Sequence, residues 1–183
     1  MRARDGRLDV LLDGGRLPAA ALSPGDSLES ALARAVDLAV LAHVEQLETR
    51  VLEDGSVATA YLGLVSSEAD VPGDWRPAAE SALPFVGAAQ SRLRAKLSYT
   101  NLGFALAPAT FTISELREVY VAALGHDVSA TNLQRVLVRR GVLERVDGRR
   151  APGRTGGRPA ALFRFASDRL EVTDEFAALR PPR

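Results

Sequence analysis

The sequence contains no cysteine, and its two histidines, His43 and His126, lie far apart along the chain. Disulfides and thiolate metal sites are therefore excluded, and two scattered imidazoles are too few to build a zinc centre. Nowhere do about 18 apolar residues run together, which is the length that a membrane-spanning helix needs. The first residues are also not followed by the apolar stretch of a signal peptide. We therefore expect a cytoplasmic protein that has no membrane segment and binds no metal.

Positive charge is concentrated in the last third of the chain. The 183 residues include 23 Lys and Arg against 23 Asp and Glu, so the net charge is zero. Residues 126–165, however, carry nine arginines and three acidic residues, a net charge of +6, whereas residues 1–125 carry a net charge of −5. Local positive potential, rather than total charge, attracts a protein to phosphate groups. The distribution indicates that a surface for nucleic acid would lie in residues 126–165.

A capping box predicts a helix just before this basic region. Thr112 and Glu115 have the spacing at which each side chain caps the backbone of the other, so the helix is expected over residues 113–124. Apolar residues recur within it at spacings of three and four, which indicates one buried stripe. Gly125 then ends the helix.

A second helix is predicted to begin near Ser129 or Ala130 and to end at Gly141. Its apolar stripe faces inward. At 100° per residue, the other side carries hydrogen-bonding and cationic side chains that are suited to base edges and phosphates. These candidate DNA contacts are Thr131, Asn132, Gln134, Arg135 and Arg139.

Two short strands are predicted after the second helix, over residues 142–146 and 160–165. The connection between them is too long and too basic for a minimal turn, and its glycines would keep it adaptable. Helix, turn, helix and a basic hairpin together indicate a winged helix-turn-helix. The candidate phosphate or minor-groove contacts in this wing are Arg149, Arg150, Arg154 and Arg158. Taken alone, the arginines of the helix or of the wing could simply be solvated. Together, the helix and the basic wing favour binding to nucleic acid.

Outside the winged helix, the sequence predicts a domain that contains both strands and helices. Strands are expected over residues 8–12 and 57–65, and a helix over residues 88–99. We expect the basic side chains of this helix to lie on a solvated face, the alternative being that they touch the DNA backbone. A helical apolar stripe from Leu28 to Val40 follows the N-cap candidates Asp26 and Ser27. Trp75, the only tryptophan, could stack on a ligand, but we expect it to anchor its loop to the core. The tail from residue 167 is expected to fray beyond one turn of helix.

The loop and helix over residues 17–42 resemble the Nudix box of the Nudix hydrolases. The frame is present in Leu17, Pro18, Pro24, Gly25, Asp26 and Arg34. The family's metal-binding glutamates, however, fall on Ala35, Leu38 and Ala39. A hard divalent cation needs several oxygen ligands, so the resemblance implies that this chain is no longer an enzyme and has no catalytic residues.

Residues 94–165, from RAKLSYTNLGF to GGRPAALFRF, resemble the Nudix-related transcriptional regulators of bacterial NAD metabolism. The resemblance implies an α+β protein in which a reduced Nudix-like α/β/α domain is followed by a winged helix-turn-helix domain. The expected parts are a degenerate Nudix-like domain at 1–84, a connecting helix and linker at 85–108, the winged helix at 109–166 and a tail at 167–183. The resemblance further implies a homodimer that represses transcription at a palindromic double-stranded DNA operator. ADP-ribose or a related nucleotide would release it.

Two alternatives remain open at this point. The chain could be a diverged Nudix hydrolase that acts on a nucleoside diphosphate derivative with Asp26, Glu29 and Asp37. It could also be a ligand-binding adaptor whose winged helix binds protein. The residues identify neither the ligand-binding side chains nor the operator.

Overall fold

Two small antiparallel sheets form most of the N-terminal half. The computed structural model describes residues 1–150 and 159–174. The first sheet has the order β1-β2-β5, and its strands are β1 (Arg2–Arg4), β2 (Arg7–Leu12) and β5 (Asp74–Pro77). The second sheet is the hairpin of β3 (His43–Val51) and β4 (Val57–Leu64). Strands β2 and β4 confirm the two strands predicted there.

Helix α1 (Leu28–Ala35) is shorter than its apolar stripe predicts. The expectation of helix through residue 40 is wrong, because Val36 is extended with φ −144° and ψ 152°. Asp37 then starts a separate 3₁₀ turn at Leu38–Val40, its carboxylate accepting a hydrogen bond from the Ala39 amide at 2.9 Å. A short acidic side chain that bonds the following backbone competes with helix continuation, which explains the break.

Strand β3 was not predicted from the sequence, although it contributes to the link between the two halves. A bulge between Gln46 and Glu48 interrupts its alternation of apolar and polar residues. Glu45, in this strand, accepts hydrogen bonds from Arg92, at 3.3 Å, and from Lys96 of helix α2 (Val86–Tyr99). The expectation of a solvated basic face on α2 is therefore wrong for Lys96, whereas Arg92 stays partly exposed and Arg94 is exposed.

The C-terminal half contains two helices and a hairpin. Helix α3 (Ile113–Leu124) leads into α4 (Ala130–Arg139), and β6 (Leu143–Arg150) pairs with β7 (Ala160–Phe165). The capping box of α3 is present, and the Gly125 that ends it has φ +74°. All four elements confirm the sequence prediction, with β6 extending further than expected.

The segment after β7 packs back onto the chain. The Asn101 side chain, 1% exposed, donates to the Arg169 carbonyl at 2.8 Å and accepts from the Glu171 amide at 2.8 Å. The Thr173 amide donates to the Tyr99 carbonyl at 2.8 Å. The expectation of one turn of helix followed by fraying is therefore wrong as far as residue 174, because this segment is extended and bonded to residues 99–101.

One apolar core joins the two halves. It runs from Leu8 and Leu64 in the sheets, through Leu93 of α2, to Leu116 of α3 and Leu137 of α4. The connecting helix is thus fixed on both sides. Within residues 1–150 and 159–174, no helix has the combination of length and apolar character required to cross a membrane.

Candidate nucleic-acid interface

Helix α4 presents two chemically different sides. Ser129 caps the start of the helix, because its hydroxyl accepts a hydrogen bond from the backbone amide of Asn132 at 3.4 Å. Leu133 and Leu137 are buried against the core. The exposed side contains the predicted DNA contacts, which are Thr131, Asn132, Gln134, Arg135 and Arg139. Placing them together on one solvent-facing surface agrees with the helical spacing of the sequence.

The side chains of Asn132 and Arg135 are paired on that surface. The Arg135 guanidinium donates to Asn132 Oδ1 at 2.7 Å. The pair restricts the rotation of both side chains, and it leaves the remaining N–H groups directed to solvent. Such donors match the O6 and N7 acceptors of guanine in a major groove.

An ion pair fixes the turn between α3 and α4. Arg117 of α3 donates from Nε to the Val128 carbonyl at 2.8 Å and also pairs with the Asp127 carboxylate. Val128 directly precedes the Ser129 cap. The geometry of the helix-turn-helix is therefore held by hydrogen bonds as well as by apolar packing.

The hairpin of β6 and β7 is attached to the start of α3. Phe111 and Phe163 exchange two backbone hydrogen bonds, at 2.9 and 2.8 Å, so the segment before α3 lies alongside β7. Arg150 reinforces this attachment, since Nη2 donates to the Thr110 carbonyl at 3.2 Å and Nε lies 3.3 Å from Glu115. The hairpin is thus positioned next to α4 as a wing.

The arginines of residues 126–165 differ in whether an acid already neutralises them. Arg140 pairs with Asp174 at 3.0 Å, and Arg164 pairs with Glu144 at 2.8 Å. Four others are exposed and make no ion pair with the described residues, namely Arg135, Arg139, Arg145 and Arg149. Arg145 was not among the predicted contacts, although its position in the basic hairpin could have suggested it. Predicted contacts Arg154 and Arg158 lie outside the described residues.

The N-terminal half contains a cavity of about 450 Å³. The end of α1 and the segment after it line the cavity together with strands β2 to β5, the start of α2 and neighbouring loop residues. Its lining includes Trp75 and Ala35, the latter a position at which the Nudix resemblance would place a glutamate. The Trp75 Nε1 donates to the Val71 carbonyl at 2.9 Å, a contact within its own segment.

The Nudix-like loop before α1 is closed by an ion pair. Arg34 Nη2 lies 2.6 Å from Asp26 Oδ2, and the same nitrogen donates to the Ala21 carbonyl at 2.9 Å. The hydrogen bond from Arg34 is the main reason that the pKa of Asp26 is lowered. Among the described residues, no group of three or more His, Asp or Glu side chains forms a potential metal site.

A helix-turn-helix with an exposed polar second helix and a basic hairpin defines a winged helix domain of the DNA-binding class. Residues 103–165 match the sequence profile of a family described as the NrtR DNA-binding winged helix domain. This part of the chain is therefore similar to the NrtR winged helix domain, which confirms the predicted resemblance over residues 103–165.

A curated relative from Acinetobacter baylyi is named an ADPR responsive transcriptional repressor. It is 38% identical to this chain over 76 residues. The aligned part is 42% of this chain and 29% of the relative, so the chain matches less than a third of that relative's length.

Solved structures extend the likeness over both halves. The crystal structure of Shewanella oneidensis NrtR complexed with a 27mer DNA has a TM-score of 0.68 and 27% identity, and the match covers 88% of each chain. A second crystal structure of that protein has a TM-score of 0.60 at 27% identity, covering 79% of this chain and 76% of that one. These matches confirm the predicted fold and favour a DNA-binding regulator over a hydrolase.

Proposed function

We propose that the chain regulates transcription by binding double-stranded DNA through α4 and the wing. The observation that carries the proposal is the exposed polar side of α4, within a domain whose family is described as DNA-binding. A recognition helix of this kind enters the major groove with its N-terminal residues at the base edges. The residues that would contact bases are Thr131, Asn132, Gln134 and Arg135.

Phosphate contacts come from the cations around that helix. Arg139 at its end and Arg145 and Arg149 in the wing have charges that no described acid neutralises. Arg150, Arg154 and Arg158 complete the predicted set in the wing. Contacts to phosphate orient the protein on the duplex and contribute affinity without sequence preference.

The active species is proposed to be a homodimer that represses at a palindromic operator. The homodimer and the palindromic operator rest on the resemblance alone, and repression rests also on the relative that is named a repressor. A dimer would place its two recognition helices about 34 Å apart, one turn of DNA. Half-sites at that spacing are therefore expected.

The proposal includes the absence of Nudix hydrolysis. Where the resemblance places metal-binding glutamates, the chain has Ala35, Leu38 and Ala39. Of the remaining candidate carboxylates, Asp26 is already paired with Arg34. Magnesium-dependent release of phosphate products from ADP-ribose by the purified protein would contradict this part of the proposal.

The proposal also includes a small molecule that changes the affinity for DNA. The relative is named an ADPR responsive repressor, so ADP-ribose or a related nucleotide is the effector to test first. The measurement is the affinity for DNA with and without ADP-ribose. Because this response is a property of the relative, its absence here would leave the proposal of DNA binding intact.

The test of DNA binding is a band-shift titration against the region upstream of the gene. The log of the binding constant should fall with the log of salt concentration by about 0.9 per phosphate neutralised. Arg135→Ala should relax the base preference, whereas Arg139→Ala should weaken binding to all sequences equally. Absence of binding, or binding that salt does not affect, would refute the proposal.

A further inference from the structure

An exposed valine lies on the outer side of α4, among the polar candidate contacts to DNA. The side chain of Val138 is 50% exposed. Within the described residues of the winged helix, 109–150 and 159–166, it is the only exposed large apolar side chain. The sequence analysis did not include it among the DNA contacts, because an apolar residue forms no hydrogen bond and carries no charge.

The position of Val138 around the helix groups it with those contacts. It follows Thr131 by seven residues, which is about two full turns, and it follows Arg135 by three. The buried Leu133 lies about 140° away around the helix axis. Thr131, Arg135 and Val138 therefore form one row on the outer side. The row is about 10 Å long, which is close to three base-pair steps of about 3.4 Å.

Stability of the helix does not explain a valine at this position. Alanine and the straight-chain polar residues favour an exposed helical position more than a β-branched residue does. Val138 also does not belong to the apolar core, which the helix reaches through Leu133 and Leu137. What a valine does provide in a helix is a nearly fixed side-chain rotamer. Its methyl groups are therefore held in one place before any partner arrives.

The chemistry of the major groove indicates which group such a side chain fits. Base edges there present hydrogen-bond donors and acceptors, and thymine also presents its C5 methyl group. A valine that covered a donor or an acceptor would leave that group without a partner, which is unfavourable. Against the thymine methyl, both surfaces are apolar and lose only water.

We propose that Val138 contacts the C5 methyl group of a thymine in the major groove and so selects a T·A pair at one position of each half-site. The inference rests on the proposed DNA binding through α4. It adds to the hydrogen-bonding residues a side chain that recognises a base by apolar contact.

Replacing thymine by uracil in the DNA tests the contact directly. Uracil pairs with adenine in the same way and keeps the O4 acceptor, so only the methyl group is removed. The fragment upstream of the gene is amplified once with dTTP and once with dUTP, and the affinity of the full chain for each product is measured. The wild type should bind the uracil fragment at least about fourfold more weakly, the effect expected for one buried methyl group.

Two valine variants show whether this penalty comes from α4. Val138→Ala should bind the thymine fragment more weakly than the wild type does, and its penalty for uracil should be clearly smaller. Val57→Ala is the matched control, because Val57 is also exposed but lies in the hairpin of β3 and β4. It should keep the wild-type ratio of the two affinities. Alanine favours a helix more than valine, so Val138→Ala should fold, which circular dichroism checks.

The outcomes separate this inference from the proposal of DNA binding. If the wild type binds neither fragment, DNA binding fails and the valine contact fails with it. Equal affinity for the two fragments, or the same uracil penalty in Val138→Ala as in the wild type, would overturn the valine contact alone. Single replacements of thymine by uracil should locate the penalty at one thymine of each half-site. An even spread over all thymines would indicate an effect of DNA shape and would also overturn the contact.

Discussion

Arg149 and Arg150 are neighbours in β6, but their side chains have different surroundings. Arg150 lies 3.3 Å from Glu115, whereas Arg149 makes no ion pair with the described residues. Arg149→Ala should reduce the slope of log affinity against log salt by about 0.9, because one phosphate contact is lost. Arg150→Ala should change the slope less, since Glu115 already neutralises the charge of Arg150.

Fluorescence anisotropy of a labelled DNA fragment at several salt concentrations measures both slopes. Arg149→Lys is the control, because it keeps the charge and should keep most of the slope. Exposed ion pairs are worth only about 0 to 1 kcal/mol, so Arg150 could leave Glu115 for a phosphate at little cost. An equal loss of slope in the two alanine variants would show that Arg150 leaves Glu115 and contacts a phosphate.

For individual residues, the sequence predicts which side chains are exposed better than it predicts which residues those side chains contact. The outward positions of Thr131 and Arg135 follow from the 100° rotation per residue around two buried leucines. The contact of Arg150 with Glu115 does not follow, because it joins two elements whose approach depends on the whole fold. Arg140 shows the same limit, since its pairing with Asp174 removes it from the basic surface.

Among the elements, the short 3₁₀ helix at Leu102–Ala105 packs closely under the winged helix. A Cβ on Gly103 would lie 2.6 Å from the Tyr120 hydroxyl and 2.9 Å from the Phe165 ring. Tyr120 is buried and cannot move aside. Gly103→Ala should therefore reduce the free energy of unfolding by roughly 1 to 3 kcal/mol, the usual cost of overpacking.

Gly87→Ala is the matched control in helix α2. A Cβ there has no neighbour within 4 Å, and alanine favours the helix by up to about 1 kcal/mol relative to glycine. Urea unfolding of both variants should give opposite signs. A Gly103→Ala protein as stable as the wild type would mean that the contact with Tyr120 relaxes freely.

The elements that the sequence predicts best are those with local stop and start residues. Helices α3 and α4 begin at Thr112 and Ser129, whose side chains cap them, and α3 ends at a left-handed glycine. The end of α1 is less predictable, because its apolar stripe continues past Val36 in a different conformation. The apolar cavity depends on that break and was not predicted from the sequence.

At the level of the whole molecule, Glu45 links the hairpin of β3 and β4 to helix α2. Burial opposes its ionisation, but hydrogen bonds from Lys96, His43 and Arg92 outweigh it and lower the pKa of Glu45. A lowered pKa stabilises the fold above the unfolded-state value, and the contribution disappears as the pH falls through the folded-state value.

The melting temperature between about pH 6 and pH 3 measures this contribution, since the unfolded pKa of a glutamate is about 4.3. Glu45→Gln should be less stable than the wild type at pH 6, and the difference should shrink towards pH 3. Glu53→Gln, in the exposed turn between β3 and β4, is the control and should leave the profile unchanged. Parallel profiles for Glu45→Gln and the wild type would contradict the assignment.

The contact between Asn101 and the tail has a consequence for the order of folding during synthesis. The side chain of Asn101 is buried, and both of its hydrogen bonds go to backbone groups of residues 169 and 171. A ribosome makes those residues after the whole winged helix. Until they emerge, the Asn101 amide lacks these two partners, and burying it without them would be unfavourable. The C-terminal half therefore completes its folding only once residue 171 has left the ribosome.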